Sequence, residues 1–190
     1  MARTVPRQPT TGARYAGTCP RQDVRGVSTR EEDSAMWPTE WPAPAHAIAT
    51  AIEAALLAAQ AADEPGFGAA TGDLAELPAD QVSAVLAAVV RELLEIAHPD
   101  GLTGEDVRVV LEAVVRRSVV WLPRLDPAAV VGALTGALGI DEGEDRPPTD
   151  PRPAAILLID HLATTARVPA RESVLRAITE IARAETVEMP

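Results

Sequence analysis

The strongest constraint on the fold is a sixteen-residue pattern that occurs twice in the middle of the chain. It spans residues 77–92 and 102–117, so the copies begin 25 residues apart, and they agree at eight of sixteen positions. The matching positions include the apolar ones, which recur every three or four residues, as on one face of an α-helix. A looser third copy begins at Leu125. Its apolar residues at the corresponding positions are Val130, Leu134 and Leu138. The middle of the chain is therefore predicted to be stacked helices.

Start and stop signals divide the chain into six predicted helices. Capping residues or proline open them, and glycine or proline closes them. The predicted helices span residues 44–62, 78–97, 104–121, 127–139, 152–165 and 170–184. Residues 63–77 are predicted to form a loop, because Asp63-Glu-Pro-Gly66 is interpreted as a helix stop. Thr103 and Asp106 are predicted to form a capping box at the third helix.

The fold class predicted from this pattern is all-α, a single bundle of about six helices with a disordered N-terminal arm. A chain of 190 residues is long enough to bury one core. With only three Trp, one Tyr and one Phe, that core is expected to be packed from Ala, Val, Leu and Ile. We interpret the repetition as a shared helix-start signal, because a unit of one helix is short for a solenoid repeat, and an ancient duplication is the alternative.

Charge separates the N-terminus from the rest of the chain. Residues 1–30 hold six arginines and one acid, whereas residues 31–90 hold ten acids and no base. Residues 1–35 are predicted to be a disordered basic arm, because they lack apolar periodicity. Two alternatives are an arm that binds an acidic partner and a translation start at Met36. The helical domain is predicted to span residues 36–190.

An acidic linker is predicted at residues 141–150, between the fourth and fifth helices. Its alternating acids invite comparison with a calcium-binding EF-hand loop, which needs oxygen ligands at positions 1, 3, 5 and 12 and glycine at position 6. Counted from Asp141, the third position is Gly143, the sixth is Arg146 and the twelfth is Arg152. The loop does not match, and we expect a solvated linker.

The residues that could support catalysis or bind a metal are few. Cys19 is the only cysteine, which excludes a cysteine-based metal site and an intrachain disulfide. His46, His98 and His161 form no metal-binding motif with one another or with neighbouring acids. No catalytic residue, metal ligand or cofactor is assigned. The enzyme alternative is a bundle site near His161 and Asp160, joined by His98.

Charge and hydropathy also bear on partners and compartment. The formal net charge of −11 disfavours binding to nucleic acid or to anionic membranes. The longest apolar stretch, residues 127–140, is shorter than the roughly 20 residues of a membrane span. With no apolar leader segment and one cysteine, the protein is predicted to be cytoplasmic.

Two features are candidate partner-binding sites. Trp37 and Trp41, each followed by proline, are expected to staple the incoming chain onto the bundle, and an exposed recognition site is the alternative. Gly132 and Gly136, with Gly139 beyond them, form a small-residue face in the fourth helix. Such a face is expected to let a neighbouring helix approach closely, with a dimer face as the alternative.

The leading functional hypothesis is a non-enzymatic helical interaction or regulatory module that binds a protein partner or itself. It depends on the helical architecture, the small-residue face, the acidic composition and the lack of recognisable site chemistry. The alternatives are a bundle that binds a small ligand and an enzyme with a site near His161 and Asp160.

Overall fold

A computed structural model describes residues 37–140 and 150–187, and these two ranges contain seven α-helices and no strand. The helices are α1 (Ala43–Gln60), α2 (Glu64–Ala75), α3 (Ala79–Ala97), α4 (Gly104–Ser118), α5 (Pro127–Ala137), α6 (Arg152–Ala166) and α7 (Ala170–Val187). The predicted all-α bundle is confirmed. The predicted arm at residues 1–35, the alternative start at Met36 and positions 141–149 of the predicted linker lie outside the described residues.

Helix α2 was not among the six predicted helices, and it occupies most of the segment predicted to be a loop. That prediction, for residues 63–77, was wrong because Asp63-Glu-Pro-Gly66 starts a helix instead of ending one. The Asp63 side chain accepts a hydrogen bond from the Gly66 backbone N–H at 3.2 Å, as an N-cap does, and proline stands within the first turn. The turn from α1 is made at Ala62, whose φ is 54°. A single left-handed residue thus replaces the expected loop.

The other helix starts agree with the sequence to within a residue. The predicted capping box is confirmed: Thr103 Oγ1 accepts from the Asp106 N–H at 3.2 Å, and Asp106 Oδ2 accepts from the Thr103 N–H at 2.9 Å. Asp126 caps α5 by accepting from the Ala128 N–H at 2.9 Å, with proline at the first helical position. These caps satisfy backbone donors that a helix start leaves unpaired.

The helix ends were predicted less well. Helix α4 ends at Ser118, three residues before the predicted end at 121. Val119 continues the apolar spacing of α4 but lies beyond its end and is exposed. Leu175, on α7, is exposed as well.

Helix α6 lies at the centre of the bundle. Its residues 154–160 are all buried, and it packs against each of the other six described helices, most extensively against α3. This apolar run therefore lies within the core. A helix that is apolar on all sides needs neighbours on all sides. None of the described helices combines the length and the apolar composition that a bilayer crossing requires.

Candidate functional site

Helix α5 is apolar on all sides but is covered on only some of them. It has no charged residue, and its one hydroxyl, on Thr135, donates back to the carbonyl oxygen of Val131 at 2.9 Å. The buried residues are Ala129, Val130, Ala133, Leu134 and Ala137. Such a helix is normally enclosed. The uncovered sides of α5 are therefore a candidate binding surface.

One uncovered side of α5 faces a cleft between α3, α5 and α6. The cleft has a volume of about 180 Å³, and its walls include Ser83, Leu86, Ala87, Gly132, Gly136 and Ala155. The structure thus places both predicted glycines, Gly132 and Gly136, in one cleft. A Cβ atom added at Gly136 would meet no atom within 4 Å. The expected close approach of a neighbouring helix does not occur at Gly136, which faces open space.

Gly139 has a different role from the other two glycines. Its φ is 71°, and its N–H donates to the Gly136 carbonyl at 3.1 Å while the Ile140 N–H donates to the Thr135 carbonyl at 2.9 Å. This pair of bonds is a Schellman motif, in which a left-handed glycine ends the helix. Gly139 therefore terminates α5. It does not extend the small-residue face of Gly132 and Gly136, contrary to the expectation from the sequence.

A second uncovered side of α5 forms one wall of a groove shared with α4. The groove has a volume of about 410 Å³. Its residues are Leu111, Glu112, Val115 and Arg116 on α4, with Pro127 and Val131 on α5. Glu112 and Arg116 form a charged rim on α4. Close by in the chain, Val120 is 83% exposed. This groove was not predicted from the sequence, although the uncharged run of α5 is a signal for it.

The two tryptophans lie at the start of the described chain and pack together. Trp37 is buried, with 7% of its surface exposed, and its ring stacks on that of Trp41 at a centroid distance of 5.7 Å. The Arg171 guanidinium lies 3.9 Å from the Trp37 ring centroid and donates to Glu53 Oε1 at 2.6 Å. This cation–π contact joins the incoming chain to α1 and α7. The geometry is that of the expected staple, and a partner-binding role for Trp37 and Trp41 stays a prediction.

The residues of the enzyme alternative line neither the cleft between α3, α5 and α6 nor the groove between α4 and α5. Asp160 is 5% exposed, its Oδ2 lies 3.1 Å from Arg117 Nη2, and its Oδ1 has no hydrogen-bond partner in the described part of the chain. The adjacent His161 is half-buried. Burial lowers its pKa, and the nearby charge of Arg117 lowers it further, against the opposing effect of Asp160. An imidazole held neutral beside an ion pair is a feature of packing as well as of acid–base sites.

His98 is engaged elsewhere in the bundle. It is the C-cap residue of α3, and its Nδ1 lies 3.8 Å from Asp106 Oδ1 at the start of α4. Within residues 37–140 and 150–187, no group of three or more His, Cys, Asp or Glu side chains is close enough to hold a metal ion. Comparison with family models, curated protein sequences and solved structures found no match for this chain.

Proposed function

We propose that this protein is a helical interaction module that docks a protein partner on the uncovered sides of α5. One observation carries the proposal: an uncharged helix, apolar on all sides, has a cleft on one side and an apolar groove on another. The centres of protein interfaces are depleted of charged residues in the same way. Contiguous apolar surface on a folded domain is typical of interaction sites.

The energetics of the two concave surfaces suit anchor side chains from a partner. Burying apolar surface contributes roughly 25 cal/mol per Å², and a few well-buried anchors supply most of the affinity of an interface. A cavity of about 150 Å³ is known to hold a benzene ring. The α3–α5–α6 cleft, at about 180 Å³, therefore has room for one Leu or Phe side chain. The larger α4–α5 groove suits one face of a helix.

The test uses the full-length tagged protein, purified from its native cells together with whatever associates with it. Val131→Glu places a charge in the α4–α5 groove, and Gly136→Arg fills the α3–α5–α6 cleft. Leu57→Glu, on α1, is the control, because Leu57 is an exposed apolar residue away from both α5 surfaces. We expect the wild type and the control to retain a stoichiometric partner, and at least one α5 variant to lose it.

Two readouts make the result decisive. Circular dichroism and thermal unfolding of each variant establish that a lost partner reflects the surface and not the fold. If both α5 variants bind the same proteins as the wild type, in the same amounts, α5 is not the docking surface and the proposal is wrong. If only one variant loses the partner, the result also shows which side of α5 the partner occupies.

A second candidate is a small apolar ligand in the α3–α5–α6 cleft. The observation that favours it is the volume of the cleft. This volume is close to the roughly 150 Å³ that holds one benzene ring and smaller than the roughly 300–1,000 Å³ of most ligand pockets. NMR titration with benzene tests this candidate, with Gly136→Leu as the variant that fills the cleft. Benzene-induced shifts of cleft residues that disappear in Gly136→Leu would support it, and their absence from the wild type would exclude it.

A further inference from the structure

We propose that the partner docked on α5 is a second copy of this chain. The two copies associate about a two-fold axis, with the α4–α5 groove of each facing that of the other. This inference rests on the proposed function, and it names the occupant of the groove. A two-fold interface uses the same patch on both molecules, so that patch must be complementary to itself. Charge and shape both meet this requirement.

The charge distribution disfavours α1 to α3 as the surface on which two copies meet, and it is balanced in the α4–α5 region. The whole chain carries a formal net charge of −11, so two copies repel each other at most orientations. Residues 37–97, which form α1 to α3, contain nine acids and one arginine, and seven of the nine acids are exposed. Residues 104–137, which form α4 and α5, contain four acids and four arginines. Two copies therefore approach with less repulsion through α4 and α5 than through α1 to α3.

The rim of the groove pairs with itself under two-fold symmetry. Glu112 and Arg116 lie one helical turn apart on α4, with half or more of each side chain exposed, and within one molecule their nearest charged atoms are 3.7 Å apart. When two α4 helices run antiparallel about an axis between these residues, Glu112 of each copy faces Arg116 of the other. The interface thereby gains the same ion pair twice. Opposite charges of this kind orient an interface more than they strengthen it.

The apolar surfaces of the same region also complement each other. The groove is concave between Leu111 and Val131. Val109 lies three residues before Glu112 on α4, and it is exposed, as is Val120 just beyond the helix. A monomer leaves both the concave and the projecting apolar surface in water. In the antiparallel arrangement Val109 and Val120 of one copy lie beyond the two ends of the groove of the other, so two copies cover the groove and bury the valines beside it.

The first experiment measures the mass of the full chain by sedimentation velocity over a wide concentration range. The chain has a mass of 20.0 kDa, and we expect the wild type to approach twice that mass as its concentration rises. Val131→Glu is expected to stay monomeric. Leu57→Glu and Gly136→Arg, which lie outside the groove, are expected to dimerise like the wild type. A wild type that stays at the monomer mass throughout would overturn the dimer.

The second experiment reverses the rim charges, which are exposed and whose substitution leaves the core intact. Glu112→Arg alone and Arg116→Glu alone each place like charges opposite one another twice, and each is expected to raise the dimer dissociation constant about tenfold. An equimolar mixture of the two variants is expected to form heterodimers with near wild-type affinity. An ion pair within one molecule cannot produce this rescue, so a mixture no tighter than either variant alone contradicts the two-fold arrangement.

The outcomes separate this inference from the proposed function. If the wild type is a monomer and Val131→Glu or Gly136→Arg still releases a different protein from the native extract, the second-copy inference is wrong and the interaction module stands. If the wild type is a monomer and neither variant changes what co-purifies, both are wrong. If the dimer forms and Val131→Glu abolishes it, both are supported.

Discussion

The side chain of Arg91 on α3 donates a hydrogen bond from Nε to the backbone carbonyl oxygen of Ala137, the last residue of α5, at 2.9 Å. The last carbonyls of a helix lack partners within the helix, and a positive charge is favourable at that end of its dipole. Helix α5 has no basic residue of its own in its last turn. Arg91 therefore stabilises the C-terminal end of α5 and holds it against α3. These two helices form walls of the glycine-lined cleft.

Arg91→Ala is expected to lower the free energy of unfolding by about 1 kcal/mol, because a charged hydrogen bond to the helix end is lost. Chemical denaturation of the purified protein measures this change. Arg91→Lys keeps a positive charge near the same carbonyl and is expected to lose less. Equal stability of Arg91→Ala and the wild type would show that the contact with Ala137 contributes nothing.

Substitution by alanine is expected to change the free energy of unfolding differently at the two glycines near the start of α2. A Cβ at Gly68 would meet no atom within 4 Å, whereas a Cβ at Gly66 would lie 2.2 Å from Asp63 Oδ2. Gly68→Ala is expected to raise the free energy of unfolding by about 0.5–1 kcal/mol, the usual gain of alanine over glycine inside a helix. Gly66→Ala displaces the Asp63 carboxylate and loses the N-cap, which offsets that gain.

Thermal unfolding followed by circular dichroism compares the two alanine variants with the wild type. Asp63→Ala, which removes the cap directly, is expected to cost about 1 kcal/mol. If Gly66→Ala proves as stabilising as Gly68→Ala, then the Asp63 carboxylate does not cap α2 in solution.

Because the carboxylate of Asp160 is buried, we expect the removal of its partner Arg117 to lower the free energy of unfolding. Arg117→Ala leaves Asp160 with no described partner for either oxygen, apart from water. Because the Arg117 side chain is half exposed, the expected loss lies between the ~1 kcal/mol of a surface pair and the ~3 kcal/mol of a buried one. Arg108→Ala is the matched control, since its partners Glu105 and Glu112 are exposed. Equal losses in both variants would contradict the importance of burial at Asp160.

The half-buried His161 predicts a pH dependence of stability. Burial lowers its pKa in the folded protein from the ordinary value of 6.5, so below that pH the unfolded chain binds a proton that the folded protein does not. His161 therefore contributes stability that is present above about pH 6.5 and lost as the pH falls through the lower, folded pKa. We expect the free energy of unfolding to fall more steeply between about pH 7 and pH 5 in the wild type than in His161→Gln.

Denaturation at several pH values tests this difference, and the carboxyl groups common to both proteins cancel in the comparison. Identical slopes would show that His161 has the same pKa in the folded and unfolded states. NMR titration of the imidazole provides the folded-state pKa independently.

The features that local physics controls could be predicted from the sequence. The faces of α3 and the start of α4 follow from apolar spacing and from the capping pair Thr103 and Asp106, all within a few residues of one another. The α2 error has a local origin too, because Asp63-Glu-Pro-Gly66 suits a helix end as well as a helix start. The turn at Ala62 decided between them, and nothing in the local composition requires a left-handed alanine.

The candidate site depended on packing between distant segments. The spacing of Gly132 and Gly136 is compatible with a close helix contact and equally with an open cleft, and the positions of α3 and α6 decided for the cleft. Likewise, Leu111 and Val131 look like ordinary core residues in sequence, but in the structure they line the groove between α4 and α5. The sequence by itself determined the helices and their apolar faces, since those depend on neighbouring residues. Only the tertiary structure decided which apolar faces stay uncovered, because covering a face requires a partner from elsewhere in the chain.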